Sequence, residues 1–513
     1  MLNPDNIKEV TLDGHDLSLQ EFIAVARYKA KLNVSDLVIE KMNKSRQYVK
    51  KIADNNEIAY GITTGFGELA KVVVDGEKSN TLSTNLVLSH AVATGDPYNK
   101  EQVRGMMLLL SNNLSHGYSG CRPVLVEILA DMFNKDVVPF VPQKGSLGAS
   151  GDLAPLSHVG LVLLGKGKAY YKDQILDGKK AMEEADIQTV DTLVNKEGLA
   201  LTNGTHAMTS LAALNVYDSL YIAELADVVA SMSFTALSGQ LNAFDSRVHE
   251  LRNQINQKKV AENLIKLTKG SKLVQKAQGQ RVQDAYTLRC IPQVHGACRD
   301  SIDHVLTIVE RELNAVTDNP LIFPDDEMII SGGNFHGEPI AQVMDFLGIA
   351  ISEYASISER RLERMVNSNL SNGLSPFLTV DAGVNSGYMI VQYSAASMVS
   401  ENKVLAHPAS VDSIPSSANQ EDFVSMGTTA ARKCSWIIQN TLSVLAYELL
   451  TAVQAIDIRT ANNIQADDLS ETLNKIYQRI RKDISFMNTD KELRLDIEKI
   501  EEIIRSDDLK QII

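Results

Sequence analysis

Residues 428–513 contain neither glycine nor proline, and neither does the stretch between Gly204 and Gly239. Tracts that lack the two strongest helix breakers favour long helices. The apolar spacing agrees. Val343, Leu347, Ala350, Tyr354 and Ile357 recur at steps of three and four, which is one helix face. Trp436, Val444, Tyr447 and Val453 lie in a similar apolar-rich stretch. Several long helices of this kind predict a mainly α protein in which rods bury one another in a bundle. The most apolar long run, 207–237, carries Asp218, Glu224 and Asp227. Three carboxylates are costly in lipid, so the run reads as a buried helix and not as a membrane span.

The first two hundred residues differ. Short segments are broken by GITTGFGE (61–68), ATGDPY (93–98), HGYSGCRP (116–123) and KGSLGASGDLAP (144–155). This is a loop-rich region, and a boundary near Leu201 predicts two domains, 1–201 and 202–513. AYYKDQIL followed by DGKK predicts a strand pair over 169–176. The tail over 490–513 alternates charged and apolar residues and predicts a solvated amphipathic helix.

Composition narrows the function classes. Of 513 residues, 22 % are charged and the net charge is −14, which disfavours a nucleic-acid partner. The N-terminus MLNPDNIKEV has no basic start followed by an apolar stretch, so no secretory signal is expected. Cys121, Cys290, Cys298 and Cys434 form no CxxC pair. Four such thiols do not make a disulfide framework, and they suit a reducing cytoplasm. His249-Glu250 lacks the second histidine of HExxH, and no PCxxC follows His336-Gly337-Glu338, so no metal is assigned.

The segment KGSLGASGDLAPLSH (144–158) is the most informative one. A phosphate loop fails, because in the nearest GxxxxGK match Lys166 is followed by Gly167 in place of Ser or Thr. A GxSxG elbow fails, because Asp152 stands two residues after Ser150. A plain turn remains the simplest reading of an isolated Gly/Ser run. A more specific reading uses the small neighbours of Ser150. The Gly151 nitrogen can reach the Ala149 carbonyl carbon, and loss of two waters would leave an imidazolone with an exocyclic methylene derived from Ser150. That group is an electrophile that ordinary side chains do not supply.

On these residues the chain resembles the aromatic amino acid ammonia-lyases, which build 4-methylidene-imidazol-5-one (MIO) from Ala-Ser-Gly. YGITTGFG (60–67), TNLVLSHAVATGDP (84–97), ALTNGTHAM (200–208), VQDAYTLRCIPQVHGA (282–297), GGNFHGEP (332–339), SENKVLAHPASVDS (400–413) and SSANQEDFVSMG (416–427) are similar to that family's motifs and stand in its order. The resemblance implies a long-helix bundle like the fumarase/aspartase architecture, with a loop-rich N-terminal domain carrying the MIO loop. It also implies a homotetramer with active sites shared between subunits, and no external cofactor.

The resemblance assigns roles by position. Ala149, Ser150 and Gly151 would form the MIO, and Tyr60 would take the β-proton. Tyr286 would be a second site tyrosine. Arg289 would hold the substrate carboxylate, for which a guanidinium is suited by its bidentate pairing. Asn203 and Gln283 match polar positions near the amine, carboxylate and MIO; Asn334 and Phe335 match residues lining it. Ser89-His90, Met389 and Glu421 resemble the histidine-specific members. A buried imidazole needs polar partners, which His90 and Glu421 would supply, whereas a benzene ring would leave both unpaired. The implied reaction is non-oxidative removal of ammonia from L-histidine to give trans-urocanate, the first step of histidine degradation. An MIO lyase or aminomutase acting on tyrosine or phenylalanine is the alternative. Thr202, His206 and Phe423 depart from the histidine-specific pattern, which has Leu, Gln and His there.

Overall fold

The structure is a computed structural model that describes residues 3–512, apart from residues 15, 56 and 75. Helices dominate, and the strands among the described residues are short and gathered in sheets of two or three. The fold is mainly α, as the glycine- and proline-free tracts predict. The longest helices are His206–Ala236, Glu338–Val366 and Gly427–Arg459.

The chain forms two compact units. One comprises residues 1–217, 306–345 and 408–432, and the other residues 218–305, 346–407 and 433–513. The division is therefore not the sequential one expected at Leu201. Four of the five crossings fall inside long helices, where no loop or linker marks them in the sequence; the fifth, at His407–Pro408, lies in the loop after the helix Met389–Leu405.

The first unit holds the short elements. The strands Lys168–Tyr171 and Gln174–Asp177 pair antiparallel where a strand pair was expected, with Ala169 opposite Leu176. Lys172 and Asp173 turn the hairpin with positive φ, the conformation a two-residue hairpin loop demands. The helix Lys100–Ser115 is buried over most of its length. Its apolar side chains, Met106, Met107, Leu108 and Leu110 among them, are wholly removed from water, each worth about 1.5–3 kcal/mol.

The second unit packs long helices around Leu445, Leu449, Val453 and Ile351, all fully buried. A fully buried ion pair sits in this core. Arg361 Nε and Nη2 donate to Glu448 at 2.5 and 2.9 Å, and both side chains are fully buried. Ser233 Oγ donates to the same carboxylate at 2.6 Å. The C-terminal tract breaks where the sequence has no glycine or proline, because Ala461 and Asn462 take positive φ and Ser470 caps the next helix, Glu471–Asp483. The helix Arg494–Arg505 is amphipathic, with Ile497, Ile500, Ile503 and Ile504 buried.

Two helices, Glu338–Val366 and Gly427–Arg459, are long and apolar enough to cross a membrane; 67 % and 83 % of their most apolar windows are buried inside the protein. Their apolar character is thus used in packing against other helices. The four cysteines are unbridged.

Candidate active site

The site lies in the first unit and begins with the loop between the strand Pro142–Lys144 and the helix Leu153–Leu163. Asp152 occupies the N-cap position of that helix but gives it no side-chain cap. Its buried carboxylate instead accepts from the backbone nitrogens of Ala207 and Met208 at 2.9 and 2.8 Å. Those N–H groups open the helix His206–Ala236, where an anion is favoured by unpaired donors and the helix dipole. Ser146 Oγ (2.7 Å) and Thr428 Oγ1 also donate to Asp152. Burial raises the carboxyl's pKa above its ordinary value, while these hydrogen bonds pull it down. One acid thus ties the loop to two helix starts.

Within the loop, Ala149 packs against Val424 and Met426. Gly151 has φ +74°, and a Cβ there would collide with the Gly204 carbonyl. Gly204 N donates to Ser150 O at 3.2 Å and Asp152 N donates to Gly204 O at 2.8 Å, so the loop is laced to the ALTNGTHAM segment. Only glycine fits at this contact. Ser150 Oγ donates to Glu421 Oε1 at 3.2 Å, and Ser416 Oγ donates to Glu421 Oε2 at 2.9 Å. A tripeptide with no side chain larger than a hydroxymethyl, bent at Gly151 and open to a cavity at Ser150, fits the residue set that MIO formation needs.

Ser150 opens into a cleft of about 720 Å³ that Tyr60, Phe66, Asn85, Ser89, His90 and Glu421 also line. An adjoining space of about 360 Å³ shares Tyr60, Ser150 and Glu421 and adds Asn203, Phe335 and Gln420. Such concavities suit a small ligand. Tyr60 sits in the loop that follows the helix Asp36–Asp54, and its hydroxyl accepts from Gly67 N at 3.2 Å. His90 ends the helix Gly76–His90, with Nδ1 3.0 Å from Ser89 Oγ. Burial lowers the His90 pKa, which the Glu421 charge opposes. Asn334 is exposed, and its Nδ2 donates to Val316 O at 3.2 Å.

Tyr60, Ser150 and Glu421 are therefore shared by two adjoining concavities, the cleft that includes His90 and the space that includes Asn203 and Phe335. Gln283, Tyr286, Arg289 and Met389 belong to the second unit and line neither. Arg289 lies 4.5 Å over the Tyr286 ring, a cation–π contact, and Tyr286 is 70 % exposed. Met389 opens the helix Met389–Leu405. Sequence reasoning missed Glu68, Asn85, Ser417 and Gln420 as cleft residues. Each stands inside a motif already quoted, but no spacing marks which motif positions face a cavity.

The three departures have separate environments. Thr202 Oγ1 donates within its own helix to Gly198 O at 3.1 Å. Phe423 stacks on His336, with centroids 6.0 Å apart and planes at 16°. His206 is buried and its Nε2 has no hydrogen-bond partner. Burial pushes its pKa from 6.5 down to about 4. Below pH 6.5 the unfolded chain gains a proton here that the folded protein resists. Stability from this group is thus level above pH 6.5 and falls between pH 6.5 and 4, by about 3 kcal/mol in all. His206→Gln is expected to flatten that part of a stability-against-pH curve measured by urea unfolding. An unchanged slope would mean the acid loss arises elsewhere.

A model of the aromatic amino acid lyase family matches residues 17–482. A protein of Caldanaerobacter subterraneus subsp. tengcongensis named histidine ammonia-lyase is 51 % identical over 507 residues, covering 99 % of this chain and 98 % of its own. The crystal structure of histidine ammonia-lyase from Trypanosoma cruzi superposes with a TM-score of 0.90 at 37 % identity, over 98 % of this chain and 94 % of that one. Tyrosine aminomutase from Streptomyces globisporus superposes with a TM-score of 0.92 at 35 % identity, over 98 % of each chain. The similarity runs through both units and through the glycine-bent loop that ends at Asp152; the chain belongs to the aromatic amino acid lyase family.

Proposed function

We propose that this lyase removes ammonia from L-histidine to give trans-urocanate, the opening reaction of histidine breakdown. The observation that carries the reading is one cleft in which His90 and Glu421, two groups able to pair with imidazole nitrogens, stand beside Ser150. The full-length relatives named histidine ammonia-lyase support the same choice.

Ala149, Ser150 and Gly151 would hold the MIO, which supplies an electrophile toward the substrate amine. The remaining work falls to side chains. Tyr60 takes the β-proton from its loop at the cleft wall. Glu421 and His90 orient the ring, and Phe335 closes the apolar side. Arg289 pairs with the carboxylate, with Gln283, Tyr286 and Met389 around the bound substrate. These four do not line the cleft of their own chain. Tyr286 and Val282 are 70 % and 91 % exposed, which supports a homotetramer whose sites borrow them from another copy. The unbridged thiols support a cytoplasmic enzyme.

The test is ultraviolet absorbance of the protein mixed separately with L-histidine, L-tyrosine and L-phenylalanine. A urocanate band with histidine alone is expected. A cinnamate-type band from either other substrate would overturn the ring assignment, and a β-amino acid product would make the protein an aminomutase. Tyr60→Phe is expected to lower kcat by about 10²- to 10⁴-fold with KM little changed, the usual cost of a lost general base. A kcat within threefold of the parent would remove Tyr60 from that role.

A further inference from the structure

Beneath the cleft, Lys196 and Asp318 form an ion pair at 2.6 Å with both side chains fully buried. Lys196 takes the left-handed conformation, φ +75°, just before the helix Glu197–Thr202. The neighbouring Glu197 is held by Arg122 Nε and Nη2, both at 2.7 Å, which fixes the start of this short helix. Asn203 follows that helix, buried in the wall of the cleft. Its Nδ2 donates to Asp318 Oδ1 at 3.2 Å and to Asn319 O at 3.4 Å. Its Oδ1 is buried without a hydrogen-bond partner.

An ionised carboxylate only accepts, and an amide has one accepting and one donating end. Asp318 and the Asn319 carbonyl therefore draw the Asn203 nitrogen inward. The amide oxygen is left as the unsatisfied atom in the wall beside Ser150, Tyr60 and Glu421. A buried acceptor with no partner is costly and is relieved by a donor. Resting on the lyase reading above, we infer that Asp318, held in place by Lys196, is a positioning residue that sets the polarity of Asn203. The site then offers a neutral acceptor to the N–H groups of the substrate's amine. The other amide orientation would offer donors to that amine and repel it.

The experiment uses the full chain carrying Ser150→Ala, which cannot form the electrophile, and measures binding by calorimetry. The probes are L-histidine and imidazolepropionate, which share ring and carboxylate and differ in the amine. Asp318→Asn frees the Asn203 amide to turn and is expected to weaken L-histidine about tenfold while leaving imidazolepropionate within twofold, one charge-assisted hydrogen bond being lost. Asn203→Asp combined with Asp318→Asn exchanges the two groups. It keeps one carboxylate near Lys196 and restores an acceptor at 203, so the preference for the amine-bearing ligand is expected to return. Equal weakening of both probes by Asp318→Asn, or no recovery in the exchanged protein, would overturn the inference and leave the pair a purely structural one. Failure of the histidine reading shows separately, as an absence of urocanate from L-histidine with the unmutated protein.

Discussion

Ser150→Ala is expected to abolish turnover, lowering kcat for L-histidine by at least about 10³-fold, the scale on which removal of a covalent catalytic group is felt. In the unprocessed loop the substitution removes one oxygen and its hydrogen bond to Glu421 at 3.2 Å, an oxygen that leaves as water when the MIO forms. It leaves the loop's backbone pairing with Gly204 in place, so the melting temperature is expected to stay close to that of the parent. The readouts are urocanate absorbance and the mass of a peptide spanning 149–151. The unmutated protein is expected to be lighter by two waters than its sequence mass, and the variant to show no deficit. Retained turnover in the variant would sink the proposed MIO chemistry outright. Lost turnover with a deficit never present in the parent would place the role of Ser150 elsewhere, in its contact with Glu421.

Gly151→Ala is the second large effect, and it acts on shape where Ser150→Ala acts on chemistry. At φ +74° an L side chain is strained by about 1–2 kcal/mol. The added Cβ also collides with the carbonyl of Gly204, a backbone group that cannot swing aside as a flexible side chain would. The two hydrogen bonds that lace the loop to Gly204 would have to open. A destabilisation of about 3 kcal/mol or more is expected, with no two-water deficit at 149–151. Urea unfolding and peptide mass measure the two parts. Parent-like stability with a normal deficit would show that the loop relaxes around the methyl and that Gly151 is there for another reason.

The helices were legible because a helix is a local object. Missing glycine and proline and a three-to-four residue apolar step act within a few residues of one another. The same locality made the hairpin at 168–177 readable and left the interruptions at 460–470 and 484–493 unreadable. There the chain stops a helix with Ala461 and Asn462 at positive φ, which sequence does not demand. The unit boundary escaped for a related reason. Four of its five crossings fall inside continuous helices, and what separates the units is which residues pack together across hundreds of positions.

The site divides the same way. The chemistry of Ala149-Ser150-Gly151 follows from three adjacent residues with almost no bulk, and the surrounding motifs identify the family from their order in the chain. Sequence by itself therefore determined a mainly α chain, an amino-acid-lyase constellation and the candidate residues. Only the tertiary structure decided that Tyr60, His90, Asn203 and Glu421 meet at Ser150 while Gln283, Tyr286, Arg289 and Met389 do not line that cleft. It alone showed that Asp152 serves a helix other than its own and that the Asn203 amide nitrogen donates to Asp318. The physical reason is range. Propensity and periodicity act between neighbours in sequence, whereas hydrogen-bond polarity, burial and close backbone approach depend on groups that the chain brings together from far apart.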